Sequence, residues 1–86
     1  MKLTHVRFRD AVQCLDSDRT VPAFVSAEGN GPGYGYQLDD GADGVMARHT
    51  KAPGVARTIP WSNIKWTDHE TRAEMIHDGR GGYWRL

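Results

Sequence analysis

An 86-residue chain with eleven Lys plus Arg against eleven Asp plus Glu is formally neutral, and it holds a single cysteine. That length makes one domain (1–86) with one modest core and leaves no room for a second; zero net charge does not announce a nucleic-acid or membrane binder as a strongly basic chain would. Cys14 alone excludes an internal disulfide and a cysteine zinc cluster, no apolar run approaches the roughly 18 residues of a membrane span, and no signal-peptide pattern is present, so a reducing, cytoplasmic setting is expected.

In chain order, LTHVRFRDAVQCL (residues 3–15) alternates, with Val6, Phe8, Val12 and Cys14 on one side and His5, Arg7, Arg9 and Gln13 on the other. This is the period-two pattern of a half-buried strand. Asp10 breaks the apolar side, and Ala11 marks a bulge. DSDR supplies turn chemistry, and VPAFVSAE reads as a second strand with Val21, Ala23 and Val25 facing one way and Pro22 keeping it at an edge or at its start. GNGPGYG holds too many glycines for a regular element and reads as a mobile loop. YGYQL and GVMARHT then form a hairpin across DDGADG, and KAPGVA is a further loop.

The stretch RTIPWSNIKWTDHE, residues 57–70, carries two tryptophans and a parity conflict. Ile59 and Trp61 would share one face of a continuous strand, Ile64 and Trp66 the other, so one strand cannot bury all four. A short turn over Pro60–Asn63 resolves this: proline presets φ, and Ser62 and Asn63 offer local hydrogen bonds. With the strand resuming after the turn, Trp66 in register with Ile64 is assigned to the core, and Trp61, on the turn, to the surface. After Trp66, Thr67 and Glu70 make a capping box that predicts a helix over 68–78; the alternative pairs EMIH with GYWRL as a terminal hairpin. In either case Tyr83 and Trp84 pack.

The residues Ile59-Pro60-Trp61-Ser62-Asn63-Ile64 resemble the end of an SH3 domain, whose Ile-Pro-Ser-Asn-Tyr-Val stretch makes a single 3₁₀ turn before the last strand; here Trp61 is an extra residue. No Ala-Leu-Tyr-Asp-Tyr stretch and no adjacent tryptophan pair accompanies it. The resemblance therefore implies a barrel-like topology but no proline-peptide groove. The expected fold is mainly β: a small SH3-like, partly open barrel of five to six short strands with a C-terminal helix, or α+β with a terminal hairpin. In style the whole chain is similar to small accessory proteins of tailed bacteriophages, which implies a modulator or inhibitor docking on a host protein.

Motifs for chemistry are sparse. DDGADG places Asp39, Asp43 and Gly44 at calcium-loop positions, but Gly41 stands at the third position and Thr50 where the bidentate glutamate belongs, so a tight turn explains it. GNGPGYGYQ lacks the Lys-Ser/Thr of a phosphate loop, and HETRA is not a zinc-protease motif. His5 and His49 sit on strands that could meet, yet satisfied histidines are the commoner outcome, and Cys14 on the apolar side is an inert core residue. No enzymatic activity, cofactor or metal is expected.

Charge runs in blocks of +3, −6, +4 and −1 along residues 1–9, 10–43, 44–67 and 68–86. Such blocks present an acidic and a basic face unless strand pairing interleaves them. The expected function is a protein-interaction module with partner-binding residues Trp61, Tyr34, Tyr36, Arg48, Lys51 and Arg57, since Trp, Tyr and Arg dominate binding hot spots. The alternative is a small nucleic-acid-binding barrel whose 48–65 segment (Arg48, His49, Lys51, Arg57, Lys65) meets phosphates while Trp61 or Tyr36 stacks on bases.

Overall fold

The computed structural model describes residues 1–70. Along them run six strands, β1 (Lys2–Gln13), β2 (Thr20–Val25), β3 (Tyr36–Asp40), β4 (Gly44–His49), β5 (Ala56–Pro60) and β6 (Ile64–His69), with a 3₁₀ turn at Trp61–Asn63 between the last two. Neighbouring strands are antiparallel, in the order β2-β1-β3-β4-β5, and β6 returns to pair with β1. The sheet does not close, so the protein is mainly β, a small, partly open barrel.

Each predicted strand from 2 to 60 is present, and the turn over Pro60–Asn63 stands where the parity of Ile59 and Ile64 requires it. Both isoleucines are buried, one on each side of the turn. Thr67, Asp68 and His69 are strand, opposite Val6, His5 and Leu3 of β1. The capping box at Thr67 is therefore overridden by sheet pairing, and the helix over 68–78 does not begin there. Its remainder, like the alternative hairpin and the packing of Tyr83 and Trp84, lies outside the described residues.

β1 carries the irregularities. Between the pairs Arg7–Ala23 and Val12–Val21, residues 8–11 of β1 stand against Pro22 alone, so the expected bulge at Ala11 is part of a wider one. Pro22 has no N–H to contribute, and it lies where the ladder is already interrupted. The bulge also shifts the parity of β2. Phe24, opposite Val6, and Val21, opposite Val12, are the buried residues, while Ala23 and Val25 are only half-buried, so Val21, Ala23 and Val25 do not all face one way as expected.

Inside lie Leu3, Val6, Phe8, Cys14, Val21, Phe24, Tyr36, Leu38, Val45, Ala47, Ile59 and Ile64. At the centre Phe24 stacks flat on Tyr36, centroids 3.8 Å apart, and Phe8 meets Phe24 edge-on at 4.9 Å. In a domain this small, such aromatic contacts add about 0.5–1.5 kcal/mol each beyond the area they bury.

Where strand pairing runs out, side chains take over. The β1–β6 ladder ends at Phe8–Ile64. Beyond it the Asn63 amide serves both backbone groups of Asp10, its Oδ1 accepting from the N–H at 2.8 Å and its Nδ2 donating to the carbonyl at 3.1 Å. Farther along, Arg57 Nη1 donates to the Gln13 carbonyl at 2.7 Å. These bonds tie the 3₁₀ turn and β5 to the second half of β1 across the open side of the barrel. At the other end, the Met1 ammonium lies 2.9 Å from Asp40 Oδ1; their hydrogen bond raises the ammonium above its ordinary range and lowers the carboxyl.

Close approach of backbones sets one glycine. A Cβ on Gly44, opposite Pro60 at the start of β4, would overlap the Ile59 carbonyl oxygen and come within 2.8 Å of its carbon. Gly44→Ala should therefore cost about 3 kcal/mol or more. Gly54→Ala, in a loop where a Cβ meets nothing within 4 Å, should be neutral or stabilise by about 0.4–1 kcal/mol. Urea denaturation of the two variants measures the difference.

Candidate functional site

The structure scatters the six residues expected to bind a partner. Tyr36 is not available at all: it is 2% exposed, stacked on Phe24, edge-on to His49 at 4.5 Å, and its hydroxyl accepts a hydrogen bond from the Leu15 N–H at 2.9 Å. As the first residue of β3, opposite His49, it points into the core. Burial pushes its phenol up to about 12.

Tyr34 and Trp61 are both exposed, but at opposite ends of the β3–β4 hairpin. The Tyr34 ring lies against Gly29, whereas the Trp61 indole N–H donates to Ala42 at the hairpin turn, 3.3 Å away. The five residues of β3 separate the two ends, roughly 17 Å at the usual strand rise. Arg48 stands on the outer face of the β3–β4–β5 sheet, between Gln37 and Ala56. Lys51 lies on the turn after β4, and Arg57 is half-buried and committed to Gln13. The cations of the 48–65 segment thus face different ways and form no single stripe.

Tyr34 and Lys51 do share one feature, a cleft of about 590 Å³ between the start of β1, the 26–35 loop and the 49–51 turn. The loop is not loose there. Val25 N–H donates to Gly33, Gly35 N–H to Ala27 at 3.1 Å, and Thr50 N–H to Gly35 at 3.2 Å, while Gly33 and Gly35 adopt positive φ of 89° and 83°. A mobile loop was the expectation; backbone bonds pin it to β2 and β4.

His49 closes the inner wall of this cleft, and it is a satisfied core histidine, 3% exposed. The Lys51 N–H can only donate, so His49 Nδ1 at 3.0 Å accepts, and the hydrogen sits on Nε2, which donates to the Tyr34 carbonyl at 2.7 Å. The Asp16 carboxylate is 3.6 Å from the same Nε2. Both ring nitrogens hold backbone, which leaves neither for proton transfer in the cleft. His5 lies elsewhere, against Trp66, and Cys14 is buried. Among the described residues no His, Cys, Asp and Glu cluster could hold a metal.

Trp66, like Tyr36, stands on the other side from the one its sequence pattern implies. It is 44% exposed, as open as Trp61 at 42%, and not core. The cause is a bulge: from Arg7–Trp66 to Phe8–Ile64, β1 advances one residue and β6 two, so Lys65 is extra and Ile64 and Trp66 no longer share a face. Ile64 turns inward and Trp66 outward, directly opposite Arg7. The His5 ring, also on this outer face, lies 5.0 Å from the indole, tilted 40°. Its Nε2 is shielded from solvent without a hydrogen-bond partner among the described residues. Ala23 and Val25 of β2, opposite Arg7 and His5, extend the face as half-buried apolar ground. The available signal was the His5, Arg7, Arg9 side of the first strand; the bulge that brings Trp66 to it has no mark in composition.

Comparison of the chain with protein-family models, with curated proteins and with solved structures finds no match.

Two measurements check this geometry. Trp66→Ala should cost less than about 1 kcal/mol, while Phe24→Ala at the core stack should cost about 3–5 kcal/mol, read by chemical denaturation. Because the folded phenol of Tyr36 is raised from 10.0 to about 12, the folded state holds that proton more tightly than the unfolded chain. Its contribution is fully present below pH 10 and is lost as pH rises toward about 12. Stability against pH for Tyr36→Phe should lack that part of the alkaline fall.

Proposed function

We propose that this protein is a non-enzymatic protein-interaction module that grips its partner through outward-facing tryptophan, Trp66 foremost and Trp61 beside the hairpin turn. The observation that carries the reading is the position of Trp66: an indole 44% exposed in the middle of a hydrogen-bonded strand, on a rigid sheet, opposite an arginine. A large side chain held by regular structure loses little conformational freedom on binding, and Trp and Arg are both among the residue types enriched at hot spots. The commitment of both His49 nitrogens to backbone supports a binding role over a catalytic one in the cleft.

The passage from β5 through a single 3₁₀ turn into a last strand that returns to β1 supports the SH3-like reading of the barrel. Its binding surface in this reading is the β1–β6 outer face and not a proline-peptide groove. For a phage-type accessory protein, the partner would be a host enzyme or complex.

Affinity capture from a lysate of the source organism, with wild type, Trp66→Ala and Trp61→Ala as baits and with and without nuclease, tests the proposal. One protein should be retained by wild type irrespective of nuclease and lost, by about tenfold or more, with Trp66→Ala. Retention unchanged in both variants, or dependent on nucleic acid, would sink it.

A further inference from the structure

The chemistry of the partner can be read from what surrounds Trp66. On β1, Arg7 is exposed on the same side as His5, and Arg9, at the start of the wide bulge beyond the buried Phe8, is exposed as well. Lys65, the extra residue of the β6 bulge, is exposed next to Trp66. None of these three cations has an ion-pair partner among the described residues. Asp68, opposite His5, is an acid of this face, and the exposed carboxylate of Asp10, whose backbone groups are tied to Asn63, stands at its margin. Three cations without ion pairs among the described residues, against these two acids, leave the face with a small excess of positive charge around an indole and the half-buried Ala23 and Val25.

We propose that the outer face of β2-β1-β6 docks a carboxylate-bearing segment of another protein, with an apolar side chain on Trp66 and acidic side chains on Arg7, Arg9 and Lys65. This rests on the interaction-module reading above and adds to it the face and the charge of the partner. Arginine matches a carboxylate with a planar, two-pronged donor set, and an indole edge beside it excludes water from the pair.

A nucleic acid fits the same face less well. Three phosphate contacts give only a shallow electrostatic hold, and Asp68 opposes the backbone within the face. A single indole offers one stacking platform, and His5 already lies against it. Of the other cations, Arg48 stands on β4, Lys51 on the turn after it, and Arg57 on β5 is turned to Gln13, so these three do not extend the patch.

The test uses the full chain and three probes at low ionic strength: a synthetic peptide of alternating glutamate and leucine, the same peptide with lysine in place of glutamate, and an oligodeoxythymidylate. Calorimetric titration should show saturable binding of the glutamate peptide only. Arg7→Glu and Trp66→Ala should each weaken it about tenfold or more, with Arg7→Gln intermediate. Thermal melts confirm that the variants fold, and Arg48→Glu, on another face, should bind as wild type does. Absent binding of the glutamate peptide, equal binding of the lysine peptide, indifference to Arg7→Glu, or a loss as large with Arg48→Glu overturns the acidic-partner assignment. Tighter, Trp66-dependent binding of the oligonucleotide overturns it in favour of nucleic acid. If lysate capture still depends on Trp66 while the glutamate peptide fails, the module reading stands and only the partner's charge is wrong; if Trp66→Ala leaves capture intact, the reading itself falls.

Discussion

One strand has to satisfy the backbone of three others. Near its start β1 pairs with β3 and β6, through its middle with β2 and β6, and at its end with β2 alone. Buried N–H and C=O groups left without partners cost about as much as a lost hydrogen bond, so a strand with two changing neighbours cannot stay regular. The wide bulge at residues 8–11 lets β2 bend, the shift between Leu3 and His5 lets β6 follow, and the Lys65 bulge ends the β6 ladder. Each irregularity changes which side chains face inward. The surface around Trp66 is therefore a product of the same hydrogen-bond accounting that holds the barrel together.

The open side of the barrel follows from the same constraint. An unpaired edge invites strands of other molecules, and β1 beyond Phe8 would be such an edge. Asn63 there reproduces with one amide both bonds that a neighbouring residue would make to Asp10, and Arg57 takes the Gln13 carbonyl. At β2, Pro22 and the bridge from Val25 to Tyr34 limit the exposed edge in a different way. Two residues read from sequence as a turn former and a partner-binding cation thus act as substitutes for a missing strand.

This explains how far the sequence could be read. The alternation of Val6, Phe8 and Cys14, the glycines around the hairpin and the Pro60 turn are local signals, each produced by steric or hydrogen-bonding preferences within a few residues, and they mark the elements correctly. Trp66 is read as core and Tyr36 as partner-binding because the facing of each depends on pairing between strands and not on a local signal. A single inserted residue reverses parity, and nothing local at Lys65 announces it. The capping box at Thr67 failed for a related reason. Two local hydrogen bonds at a helix start compete with a ladder along β1, and the ladder also keeps Ile64 in the core.

The exposure of tryptophan is the more telling because, among the described residues, the core holds only three aromatic side chains of the Phe and Tyr type. Burying a big apolar side chain contributes about 1.5–3 kcal/mol, a sizeable fraction of the stability of so small a domain. The interior makes do with Phe8, Phe24 and Tyr36 among aliphatic residues, while two indoles remain more than two-fifths exposed. One residue more or less in β6 would have turned Trp66 inward. With the present register that stabilisation is left unrealised within the described chain, and it becomes available on association, since the same apolar area can be buried against another surface. An indole in this position, beside cations that have no ion-pair partner among the described residues, holds apolar area that folding of those residues has left exposed.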